Sequence, residues 1–129
     1  MTLQVNPQQE RIHRMFPTVG GQRGFKCWTW SDWSIGDLHL EYGTLTLESR
    51  GRAHFSGVTY RTNLDGTDHW WAGFSLETRE GVRLHVEPPR AGIAMPEGGR
   101  GVRYRWSFDF SYEPSNFARI TRVVQNAAR

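Results

Sequence analysis

Apolar and polar positions alternate through most of this chain with a period of two, the mark of half-buried strands. The longest run is Val102, Tyr104, Trp106, Phe108, Phe110 and Tyr112, interleaved with Arg103, Arg105, Ser107, Asp109 and Ser111. One face of that strand is an aromatic ladder and the other is wet. Leu38, Leu40 and Tyr42 alternate on even positions and hand over to Leu45 and Leu47 on odd ones. Ala53 and Phe55 hand over in the opposite sense to Val58 and Tyr60. The switches fall at Gly43 and Gly57, and glycine at a parity switch marks a bulge or sharp corner.

Three triplets, Ser49-Arg50-Gly51, Leu64-Asp65-Gly66 and Arg79-Glu80-Gly81, each separate two alternating segments. Such triplets predict hairpins built on a type I turn with the glycine left-handed. The first sets Leu47 opposite Ala53, Leu45 opposite Phe55, and Gly43 opposite Gly57. The second sets Tyr60 opposite Trp70 and Val58 opposite Ala72. The third sets Thr78 opposite Val82, Leu76 opposite Leu84 and Phe74 opposite Val86. Every pair shares an apolar face, as a correct register demands. The expected fold is mainly β: an antiparallel β-meander curled at the glycines into a small barrel, joined by the Val102–Tyr112 strand.

Helical signals are confined to the ends. Pro114 suits the first turn of a C-terminal helix over 113–129, with Phe117, Ile120, Val124 and Ala127 as its buried stripe and Arg119 and Arg122 in solvent. Asn6-Pro7 predicts a short N-terminal helix reaching about Met15. The whole is expected to be a single domain over 1–129: N-terminal helix and linker over 1–23, barrel over 24–112, helix over 113–129. Phe25 to Trp30 adds a strand, and the proline- and glycine-rich 88–101 stretch is a long loop of the kind that serves as a lid or binding segment.

Composition sharpens this in one respect. Six Trp, seven Phe and four Tyr are many for 129 residues, and each buries roughly 150–250 Å². A small barrel lined by them is either packed solid or holds one small ligand. Of 16 basic residues only Lys26 is a lysine, and the arginines are scattered. A phosphate-reading surface clusters its charge, so no nucleic-acid partner is expected. The arginine bias reads instead as a GC-rich genome. No apolar stretch approaches the ~20 residues of a membrane span, so no membrane partner is expected. The lone Cys27 forms no internal disulfide, reads as a small core residue, and suits a reducing cytoplasm.

Chemistry-bearing motifs are sparse. There is no phosphate-cradling glycine loop, nucleophile elbow or helical histidine pair. The five histidines are isolated, with His69 and His85 on the solvent parity, so neither metal nor cofactor is expected. Tyr60 and Trp70, opposed on one inner wall near an opening, would present a phenol and an indole in apolar surroundings. They are the candidate catalytic pair, with Trp28, Trp30, Phe74, Tyr104, Trp106, Phe108 and Phe110 as the substrate-binding wall. An ordinary cross-strand pair filling the core is the competing reading.

The pattern Phe25-x-x-Trp28-x-Trp30, Gly36-Asp37, Gly43-Thr44-Leu45-x-Leu47, Trp70-Trp71 and Asn116-Phe117-x-x-Ile120 resembles a family of small actinobacterial proteins of unknown function. In outline the chain is also similar to the stand-alone cyclases of bacterial polyketide pathways, a likeness of size and chemistry. That likeness implies an enzyme: a cofactor-free cyclase, or cycloaddition catalyst, that folds a hydrophobic polyketide-like intermediate. Holding reacting carbons in contact removes entropy from the barrier, and a Tyr60 donor would stabilise charge growing on a carbonyl. Two alternatives stay open. One is a non-catalytic carrier or sensor of a hydrophobic small molecule. The other is a protein-interaction module using aromatics such as Trp33 and Trp71. A homodimer is compatible with all three.

Overall fold

The computed structural model describes residues 4–5, 12–15, 24–62, 66–98 and 100–129. In chain order the strands are β1 (Gln4–Val5), β2 (Ile12–Met15), β3 (Phe25–Thr29), β4 (Trp33–Ile35), β5 (Leu38–Glu48), β6 (Arg52–Arg61), β7 (Trp71–Glu77), β8 (Arg83–Ala91), β9 (Tyr104–Ser111) and β10 (Arg122–Ala128). All pairings are antiparallel. They make two sheets, a four-stranded one ordered β1-β10-β7-β8 and a six-stranded one ordered β2-β3-β5-β6-β9, with β4 also on β5. Phe55 of β6 meets Phe74 of β7 at 4.9 Å between ring centroids, so the sheets face each other across one aromatic core.

The first hairpin forms as its triplet predicts. Gly51, at φ 96°, closes the turn by donating to the Glu48 carbonyl at 3.0 Å. Leu47 faces Ala53 and Leu45 faces Phe55. At the parity switch Glu41 pairs with Val58 and Thr44 with Ser56, leaving Tyr42 and Gly43 opposite Gly57 as a bulge. A β-carbon on Gly57 would lie 2.8 Å from Leu40 Cδ1, so a larger residue there would push that leucine aside.

The barrel does not form. Beyond β6 the sheet continues to β9, with Phe55 opposite Phe108 and Ala53 opposite Phe110, while β7 pairs with β8 and β10. The second triplet therefore does not return the chain along β6. It carries it to the other sheet, although Leu64 and Asp65 themselves lie outside the described residues. Tyr60 accordingly faces His39, not Trp70. The ladder of β9 sets its aromatic residues beside the inward residues of β6, with Phe110 by Ala53, Phe108 by Phe55 and Trp106 by Gly57.

The third hairpin is right at its turn and wrong beyond it. The Thr78 amide donates to the Val82 carbonyl at 2.9 Å and Gly81 takes φ 88°. A bulge then slips the register by one, so Leu76 faces His85, Phe74 faces Glu87, and Val86 lies opposite Ser75. Val86 ends more than half exposed. Because β8 is an edge strand, its apolar parity is not enforced from both sides.

Both terminal helices are corrected. After Tyr112 a short 3-10 helix, Pro114–Arg119, carries the proline in its first turn, and β10 follows. The run Ile120, Thr121, Val123 and Val124 is rich in β-branched side chains, which lose rotamer freedom in a helix and suit a pleated surface. Ile120 and Ala127 are nonetheless buried and Arg119 and Arg122 exposed, as the stripe requires. At the other end Ile12–Met15 is strand, not helix, and residues 6–11 of the expected helix lie outside the described residues. Strand β8 runs through Pro88-Pro89, so the 88–101 loop starts later than its composition suggests.

Candidate functional site

The aromatic wall is present, and its rings pack against one another between the sheets. Trp30, Phe55, Phe74, Trp106, Phe108 and Phe110 form one connected cluster with neighbouring centroids 4.9 to 6.3 Å apart. Trp28 is buried in the same core and Tyr104 packs on its margin. Their polar atoms are tied inward: Trp106 Nε1 donates to Thr59 Oγ1 at 2.9 Å, and Trp70 Nε1 to Gln125 Oε1 at 3.2 Å. Trp30 Nε1 is buried without a hydrogen-bond partner.

The candidate pair is not brought together. Trp70, just before β7, is fully buried and meets the edge of Trp33 at 5.4 Å. Tyr60 lies on the outer face of the six-stranded sheet. Its ring stacks on His39 at 4.5 Å, and the Arg103 guanidinium covers it at 3.8 Å. Arg103 also pairs with Glu41 at 3.2 Å, and Ser34 Oγ lies 2.6 Å from His39 Nδ1. His39 Nε2 is buried and unpartnered. Three strands and the residue just before β9 thus contribute one polar, stacked array in the order Ser34, His39, Tyr60, Arg103.

Further along that face Asp109 joins Arg52 at 2.8 Å and His54 Nδ1 at 2.6 Å. The Arg52 hydrogen bond, then that of His54, holds its carboxyl below the usual carboxylate range. Cys27 is half-buried on this face within 3.8 Å of Thr46 Oγ1, outside the core expected for it. His85, expected in solvent, instead stacks on Phe110 at 5.5 Å, held by Glu87 at 3.0 Å. Trp33 and Trp71 are half-buried.

One residue of this face escapes the alternation pattern altogether. Tyr42 looks like the third member of the Leu38–Leu40 apolar set, yet it is 71% exposed and takes φ 56°. It occupies the bulge, where the extra residue turns its side chain out. The signal was available in the adjacent Gly43 and the facing Gly57, which mark the bulge and so the break in parity.

Among the described residues no group of three or more His, Cys, Asp or Glu is placed to hold a metal ion. No helix among them is long and apolar enough to cross a membrane. A family model described as a family of unknown function (DUF6294) matches residues 44–128. No curated protein and no solved structure matches the chain. The match accords with a likeness to proteins of unknown function and is silent on source organism and on ring closure.

Proposed function

We infer that this chain, which belongs to the family of unknown function DUF6294, is a protein-interaction module that docks its partner on the outer face of the six-stranded sheet. Tyr42 is the observation that supports this. A left-handed backbone costs a residue with a β-carbon about 1–2 kcal/mol. The fold recovers little from the ring, because 71% of the residue is in solvent. Glycine would be relaxed there, so the tyrosine is explained by what it meets outside the chain. Its neighbour Glu41 pairs with Arg103, which covers Tyr60 on the same face, and Tyr and Arg are the residues that most often anchor interfaces. The partner that fits presents an apolar hollow for the ring and a carboxylate for the arginine.

The test is photo-crosslinking in cells that express the protein, with a benzophenone side chain at position 42 and, as control, at Ser111. A discrete adduct at 42, absent at 111 and lost in Arg103→Glu, is expected. Equal adducts at both positions, or none at 42, would overturn the reading. With the captured partner purified, Tyr42→Ser should weaken binding by about 2 kcal/mol or more, roughly thirtyfold in Kd.

A second reading keeps a hydrophobic small molecule as cargo or cyclase substrate, and the unpartnered indole N–H of Trp30 favours it. It no longer has Tyr60 and Trp70 on one wall. Incubation with a linear polyene precursor, compared with a protein-free control, separates the two: faster cyclisation supports ring closure, and binding without turnover supports a carrier.

A further inference from the structure

The only lysine of the chain is buried and pairs with no carboxylate among the described residues. Lys26 Nζ donates to the Phe117 carbonyl at 2.6 Å and the Ile120 carbonyl at 2.8 Å, and lies over the Phe117 ring at 4.6 Å. Those carbonyls close the C-terminal end of the 3-10 helix, where backbone donors run short; the Phe117 oxygen otherwise accepts only a long 3.3 Å bond from the Ile120 amide among the described residues. Burial lowers its pKa, the expected cost of a charge with only dipoles around it.

Ala118 and Arg119, the residues between those carbonyls, wall a hollow of about 230 Å³. Its other lining residues are Thr78, Arg79, Glu80 and Thr121. Arg79 comes from the β7–β8 turn and Arg119 ends the 3-10 helix, so two separate elements each bring an arginine to the lining of one hollow. Neither makes an ion pair or hydrogen bond among the described residues. Thr78 Oγ1 accepts from the Val82 amide at 3.1 Å, which leaves its own hydrogen free to donate. Two guanidinium forks, a hydroxyl donor and an uncompensated ammonium behind the wall form an electropositive recess suited to a tetrahedral oxyanion.

We propose that this hollow binds a phosphate group, either inorganic phosphate or the monoester end of a small metabolite, between Arg79 and Arg119. The anion supplies the counter-charge that Lys26 lacks, while Glu80 on the rim opposes it and limits affinity. The site is distinct from the docking face on the six-stranded sheet.

Calorimetric titration at low ionic strength with inorganic phosphate and with ribose 5-phosphate tests this. One saturable site is expected, weakened at least tenfold in the double variant Arg79→Gln/Arg119→Gln, tightened severalfold in Glu80→Gln, and unchanged in Arg50→Gln. Equal affinity for the two probes would identify the free anion as ligand, and tighter binding of the sugar phosphate would identify a metabolite. Lys26 gives an independent readout, because lysine labelling yields one side-chain signal. That signal should shift with the same saturation constant as the heat. Absence of saturable binding, binding that survives the double variant, or an unmoved Lys26 signal would overturn the proposal.

Discussion

Gly73 on β7 lies opposite the Pro88-Pro89 step of β8, and a β-carbon there would come within 2.7 Å of the Pro89 nitrogen and 2.8 Å of the Glu87 oxygen. Those are backbone atoms that cannot rotate away. Gly73→Ala should therefore cost about 3 kcal/mol in urea denaturation, at the upper end of overpacking losses. Gly66→Ala meets open space and only a left-handed φ, and should cost about 1 kcal/mol. Tyr42→Gly should leave stability unchanged or raise it by up to about 1 kcal/mol, since relief of the left-handed strain is partly offset by unfolded-chain entropy. A clear loss there would mean that the ring serves the fold. The glycines of the first and third turns and of the bulge were legible because each interrupts an alternation. Gly73 was not, because its constraint comes from a bulge on the neighbouring strand.

Strand β10 is where local pattern and tertiary context part. Phe117, Ile120, Val124 and Ala127 keep helical spacing, and the same residues satisfy a 3-10 helix followed by a central strand paired with β7 and β1. The two readings predict different energetics. A helix stripe would make Phe117 the dominant anchor, whereas it is only partly buried and Ile120 is fully buried. Ile120→Ala should cost about 3 kcal/mol and Phe117→Ala less, about 1–2 kcal/mol. The reverse order would restore the helix reading. Thr59→Val should cost about 1–3 kcal/mol by leaving the buried Trp106 N–H unpaired.

Across the whole molecule, Arg129, next to the end of β10, ties the four-stranded sheet to the turn between β4 and β5 and to the segment before β7. It bonds Asp37 and, at 2.7 Å, Asp68. Burial alone would raise the Asp37 pKa, but the Arg129 hydrogen bond and charge outweigh it and hold the carboxyl below its ordinary 3.8. A depressed folded-state pKa contributes stability that is present above the unfolded value and lost as pH falls through the folded one. Stability should therefore fall below about pH 4 as Asp37 and Asp109 take up protons. Arg129→Ala should lower stability at pH 7 and shrink the loss between pH 7 and pH 3, read from urea midpoints. An unchanged acid slope would remove Asp37 from the account.

What the chain's pattern determined alone is the local geometry: alternating strands, two glycine-closed hairpins, the bulge opposite Gly57 and the ladder of β9. These depend on contacts close in sequence or on parity, which one residue's neighbours specify. The partners of β6, the fate of the last segment and the outward turn of Tyr60 were decided only in three dimensions. Every apolar face could be satisfied by more than one other face, and the choice fell to the arrangement that closes two sheets over one core. The candidate pair was lost in two ways: β6 took β9 as its neighbour instead of β7, and the extra residue of the bulge fell on β5, so β6 kept Thr59 and Arg61 inward and turned Tyr60 to the outer face.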